Sequence, residues 1–181
     1  TWQTAGRGQN ALLPHHTRLL IQANSSTTTS STIYDQSAFG HTVTVSGAVH
    51  SQAVVSPVGA NTAILFDGTN DTIQVPSGYS DLSPGGEDFS CEGWFYPDSW
   101  GSAYRFLFGK FYDGAGSKEW LLRGQSGGGL LFRYSTNGSS ETDITFSSQQ
   151  LAAGVWQHVA IGRVGTNLCL WIDGALRAVS A

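Results

Sequence analysis

The stretch "NLCLWIDGALRAV" sets two alternating, apolar-rich runs on either side of a bare Asp-Gly pair. Asp-Gly between alternating runs is hairpin chemistry, because both residues tolerate the positive φ that a tight turn demands. Such runs recur along the chain: "TRLLIQA", a short run closing the polar loop "NSSTTTSSTIYD", "HTVTVSG", "TAILFDG", "DTIQVP", "DFSCEGWFYP", "RFLFGKFY", "EWLLRG", "GLLFRYS", "TDITFS" and "WQHVAIGRVG". Each is bounded by Gly, Pro, Asn, Asp or Ser, the residues that end strands. No stretch keeps a 3.6-residue period; "SSQQLAAG" alone is read as a possible helical turn. The pattern predicts an all-β fold of about a dozen short strands, best arranged as two stacked antiparallel sheets.

Composition points the same way. Only 12% of the residues are charged, Lys is nearly absent, and Gly numbers 23 with 12% aromatics. Surface helices draw on Lys and Glu, whereas aromatics, β-branched residues and Gly suit sheets with many turns. The net charge of −4, with no cluster of Lys or Arg, argues against nucleic acid as a partner. No apolar run approaches the roughly 18 residues that a membrane helix needs, so no membrane insertion is expected. A chain that opens on Thr and contains no Met reads as processed, trimmed or partial.

Alternation also assigns faces. Leu168, Leu170 and Ile172 share one side of their run, with Cys169 and Trp171 on the other. Val159 and Ile161 share a side, opposite Trp156, His158 and Ala160. Apolar groups on both sides predict central strands, one face in the core and the other partly covered. Cys91 and Cys169 both lie in strand-like runs and read as buried thiols, with a disulfide as the alternative. Residues 1–16 show no period and read as an N-terminal arm or linker. Trp2, Leu12 and Leu13 could dock it on a neighbour, or it could be a plain leader. Residues 17–181 read as one domain.

In order and at matching intervals, "LLIQANSS", "STIYDQSAFGHTVTVSG", "TAILFDGTNDTIQVP", "DFSCEGWFYP" and "LAAGVWQHVAIGRVGTNLCLWIDGAL" resemble the laminin-G-like, concanavalin A-like jelly-roll domains of bacterial surface proteins and of phage tail and virion proteins. The most specific parts are Phe66-Asp67-Gly68, Phe89 through Pro97, and Trp156, His158, Val159, Ala160 and Arg163 with Asp173-Gly174 behind them. The resemblance implies a two-sheet antiparallel jelly-roll sandwich. It also implies framework roles for His158 and Arg163, a core place for Phe66, and a strand joint at Asp67-Gly68. Two departures stand out: Thr72 occupies a position that is usually aromatic, and the sequence stops at Ala181 before the C-terminal strands that usually follow the Asp-Gly hairpin. Those strands are expected either to lie outside this sequence or to be replaced by a neighbouring chain. A neighbouring chain filling that edge is one expectation, since an open gap inside a sheet would leave bare N–H and C=O groups.

Candidate chemistry is sparse. Retaining glycosidases need two carboxylates about 5 to 5.5 Å apart, which on one strand means acids at alternate positions. Glu87 and Asp88 are adjacent, Glu92 stands alone, Glu119 is isolated, and Glu141 with Asp143 reads as a solvated strand start. No H-E-x-x-H motif occurs. The expected reading is therefore not an enzyme. Asp67 and Asp71 could instead offer part of a calcium site, although a calcium ion wants six to eight oxygens. Residues 97–120 are rich in aromatics and Gly, and if a glycan site exists its candidates are Trp100, Tyr104, Tyr112 and Asp113. The alternative is that these aromatics cover a sheet rim or a subunit contact. The expectation is a non-catalytic structural or adhesion module of a virion or extracellular appendage, meeting neighbouring subunits at an extracellular or virion surface. An isolated carbohydrate-binding, lectin-like module is the alternative.

Overall fold

The computed structural model describes residues 16–59, 62–76, 78–101, 104–111 and 118–180. The expected arm residues Trp2, Leu12, Leu13 and His15 lie outside the described residues, as do Tyr112 and Asp113. Backbone contacts divide the chain into two compact units, one ending at Leu82 and one beginning at Ser83.

In the first unit, short strands form two antiparallel pairs. Strand β1 (Thr44–Ser46) pairs with β4 (Thr72–Gln74), and β2 (Val49–Ser51) pairs with β3 (Ala63–Leu65). The run "TRLLIQA" forms no strand: a single bridge joins Ile21 to Asp35, and the Gln36 N–H donates to the Leu20 carbonyl. Ile33, Ala48, His50 and Thr62 are buried in this unit. His50 Nε2 stands 3.2 Å from the Thr32 carbonyl and Nδ1 stands 3.0 Å from Thr62 Oγ1. A carbonyl only accepts, so Nε2 is the donor in that contact, and the Thr62 hydroxyl can serve Nδ1 as either donor or acceptor. A polar group is thus buried at little cost.

The second unit is a sandwich of two four-stranded antiparallel sheets. One contains β5 (Phe89–Phe95), β10 (Gln157–Val164), β11 (Asn167–Ile172) and β12 (Ala175–Ser180), in the order β12-β11-β10-β5. The other runs in sequence order through β6 (Arg105–Phe111), β7 (Lys118–Gly124), β8 (Gly129–Tyr134) and β9 (Thr142–Gln150). The two inner faces meet in one core. Val159, Ile161, Leu168, Leu170 and Ile172 come from the first sheet, and Leu122, Leu130, Phe132 and Phe146 from the second. Phe89 of β5 reaches across to Trp120 and Phe132, with ring centroids 5.5 and 6.4 Å apart. The faces expected for β10 and β11 from alternation are those observed, and both strands are interior in their sheet.

Local chemistry explains the turns. Asp173 and Gly174 both have positive φ, 52° and 74°, as a two-residue hairpin turn requires. The Asp173 carboxylate also accepts the His158 N–H at 2.9 Å, and its own N–H donates to the His158 carbonyl, so the turn is tied to β10. Two expectations fail. The stretch "SSQQ" continues β9 to Gln150 rather than forming a helical turn, because pairing with β8 extends to Gly129. Phe66 is not core: it is 50% exposed, lying just past the end of β3 at Leu65 and outside any strand.

Cys91 and Cys169 are both free thiols. Cys91 is paired with Ile161, which faces the core, while Cys169 is paired with Gly162 on the opposite side of the same sheet. Side chains on opposite faces cannot be bridged. Burial, with the Glu92 charge beside it, pushes the Cys91 thiol up to about 12.

Candidate functional site

The outer face of the β6–β9 sheet gathers most of the polar and aromatic side chains that could meet a ligand. Alternation sends Leu122, Leu130 and Phe132 inward, so Arg123, Leu131 and Arg133 point outward. Pairing then sets two rows across this face. Phe106 lies opposite Arg123, which lies opposite Leu131, itself opposite Thr145; in the next row Leu121 lies opposite Arg133, and Arg133 opposite Asp143. Leu121 and Leu131 are 3% exposed even though they are on the outer side.

Charge on this face is partly neutralised. Arg133 makes a two-pronged contact with Asp143, at 2.6 Å from Nε to Oδ1 and 2.8 Å from Nη2 to Oδ2, and also pairs with Glu141. Lys118 holds the same Glu141 at 2.5 Å. Hydrogen bonding from Arg133, supported by the charges of Arg133 and Arg123, lowers the Asp143 pKa despite its burial. The Glu141 and Asp143 pair is exposed as expected at a strand start, but Arg133 occupies both. Arg123 differs: its guanidinium lies 3.9 Å over the Tyr104 ring, and its buried Nε has no hydrogen-bond partner. Tyr104 is 62% exposed and Phe106 57% exposed, so two aromatic rings stand open beside this cation.

The candidates read from sequence separate here. Tyr104 is on the open face. Trp100 is half-buried against the core, its indole N–H donating to the Leu151 carbonyl at 2.7 Å. Its ring lies so close over Gly124 and Gly128 that a Cβ at either position would collide with it. Asp67 and Asp71 do come together at their corner, through their own backbone: Asp71 Oδ2 accepts the Asp67 N–H at 2.7 Å, and Asp67 Oδ1 accepts the Thr69 N–H at 2.8 Å. Among the described residues, no group of three or more His, Cys, Asp or Glu is placed to hold a metal ion.

Sequence reading missed Arg123, Arg133 and Phe106. Their alternation with Leu122, Leu130 and Phe132 was a usable signal; their mutual proximity was not. It also missed a buried cluster in the first unit. His41 Nδ1 lies 2.8 Å from Asp35 Oδ2 and Nε2 lies 3.0 Å from Asp81 Oδ2, with Tyr79 edge-on at 4.4 Å. Both ring nitrogens therefore face a carboxylate oxygen. Burial would raise the Asp35 pKa, but the N–H groups of Leu20, Ser37 and His41 and the Ser37 hydroxyl outweigh it and hold it at about 2. On the other sheet, His158 stacks edge-on against Trp94 at 5.2 Å, with Glu92 at 3.7 Å. Arg163 donates to the Gly85 and Glu87 carbonyls. Both serve the framework.

A laminin-G-type family model, described as the concanavalin A-like lectin/glucanases superfamily, matches residues 67–181, more than half of the chain. The chain belongs to this superfamily. A solved structure of botulinum neurotoxin type C, described as entering cells in dependence on two ganglioside molecules, is similar to this superfamily member over 90% of the present chain and 38% of its own. The TM-score is 0.61 and the identity 17%. The chain therefore spans less than two-fifths of that protein, and at this identity the likeness is one of fold. Curated protein sequences give no match. No helix among the described residues is long and apolar enough to cross a membrane.

Proposed function

We propose that this chain is a non-catalytic carbohydrate-binding module, working at an extracellular or virion surface, that takes its glycan on the outer face of the β6–β9 sheet. The observation that carries this reading is the pair of open rings, Tyr104 and Phe106, beside Arg123 and the Arg133–Asp143 pair. Sugar rings present flat C–H faces that stack on aromatics, while their hydroxyls bond to fixed charged groups at the rim. Superfamily membership and the ganglioside dependence described for the toxin agree with it. A non-catalytic role is supported by the carboxylates themselves. Glu141 and Asp143 are occupied by Arg133, Glu119 pairs with Lys110 at 2.9 Å, and both nitrogens of His41 are engaged. None of these is left as a paired acid and base; Glu92 and His158, 3.7 Å apart, pair on the other sheet. In this reading Trp100 is a packing residue against Gly124 and Gly128, and Asp67 and Asp71 are the carboxylates a calcium ion would use.

A glycan array probed with and without added calcium tests the proposal. The expected result is saturable binding that weakens about tenfold in Tyr104→Ala or Phe106→Ala, the loss of roughly one stacking contact. An array blank under both conditions overturns it.

A second reading, a structural or adhesion module of a virion or extracellular appendage that meets neighbouring subunits, is favoured by the other sheet. Leu176 and Val179 pair with Trp171 and Cys169 on its outer side, and both are exposed, as is Trp94. Light scattering should then show a concentration-dependent oligomer that Leu176→Ser with Val179→Ser dissociates. A monomer at every concentration counts against it.

A further inference from the structure

We infer that Arg123, held against Tyr104, is an anchor for an acidic group, so the face prefers glycans that carry a carboxylate or sulfate over their neutral counterparts. This rests on the reading of the β6–β9 face as the carbohydrate site. The argument begins with two arginines on one face. Arg133 is committed to Asp143 and Glu141. Arg123 has no hydrogen bond or ion pair among the described residues, and its Nε is buried without a partner. A guanidinium offers five N–H donors in a planar fork, and leaving the buried Nε donor unmet is unfavourable. The Tyr104 ring, 3.9 Å away, meets the cation through its π face and limits its swing, which fixes the plane in which the fork can accept a ligand.

A planar carboxylate matches that fork through two parallel N–H···O bonds, and a sulfate ester supplies the same pair of oxygens. Asp143 is near enough for Arg123 to lower its pKa, but its oxygens are taken by Arg133. Phe106, opposite Arg123 in the register, leaves an apolar surface for the body of the sugar next to its charged group. A free polyanion such as nucleic acid is a poorer fit, since the chain carries net charge −4.

The test uses the whole chain in calorimetry with matched probes: sialyllactose, sulfated lactose and a glucuronate-containing oligosaccharide, each against its neutral counterpart. The expected result is at least a tenfold preference for one acidic member, weakening as salt rises. Arg123→Gln should weaken binding of the acidic probe at least tenfold more than binding of its neutral counterpart, so that the ratio between them falls to about one, and Arg123→Lys should restore only part of that ratio. The sulfate and carboxylate arms separate the two sources of charge. Equal binding of acidic and neutral probes by the unaltered chain overturns the inference and leaves the carbohydrate reading standing. An acidic preference that survives in folded Arg123→Gln also overturns it. No binding of any probe overturns both.

Discussion

Trp100 sits where an aromatic in a glycine-rich loop would be taken for a sugar platform, yet its ring is packed on Gly124 and Gly128 and its N–H is bound to Leu151. Trp100→Ala should therefore destabilise the second unit by about 3 kcal/mol through the cavity it leaves. Urea unfolding checks this, and an unchanged midpoint would remove the packing role. Asp35 makes the complementary case in the first unit. Its pKa is held at about 2, below the 3.8 of the free group, so its hydrogen bonds contribute stability above pH 3.8. That contribution, about 2 kcal/mol, is lost as pH falls from 3.8 through 2. Chemical shifts of residues 18–41 should move over that window, and Asp35→Asn should abolish the movement.

At the scale of elements, the β11–β12 hairpin was the most legible part of the chain. Asp-Gly meets the positive φ of both turn positions, and the alternation on either side fixes which residues face the core. Gly174→Val should cost about 1 kcal/mol or more, since a β-branched residue resists φ of 74°. A thermal midpoint within error of the parent would contradict the turn. Other elements were less legible. The end of β9 looked like a helical turn because "QQLAAG" has good helix formers, yet tertiary pairing with β8 prevailed over local propensity. The run "TRLLIQA" looked like a strand but has only one bridging partner, and a strand needs continuous neighbours more than it needs composition.

At the scale of the molecule, the second unit is held by one core shared between two sheets, with Leu170 fully buried within it. Leu170→Ala should lower its unfolding free energy by 2–5 kcal/mol. The signals of residues 83–180 should be lost in one transition as denaturant rises, and separate transitions for the two sheets would break the single-core account. The sequence by itself determined the all-β class, most strand positions and the inward faces of β10 and β11. These follow from the period of two along one strand and from turn residues with local φ demands. Tertiary structure alone decided that Tyr104 is open while Trp100 is packed, that Phe66 is outside, that Arg123 meets Tyr104, and that His41 bridges Asp35 and Asp81. The Trp100–Leu151 bond joins residues 51 apart, and His41–Asp81 joins residues 40 apart. Backbone geometry sets which side of its strand a residue occupies, but the neighbour across a sheet or loop is set by topology, which no local pattern encodes.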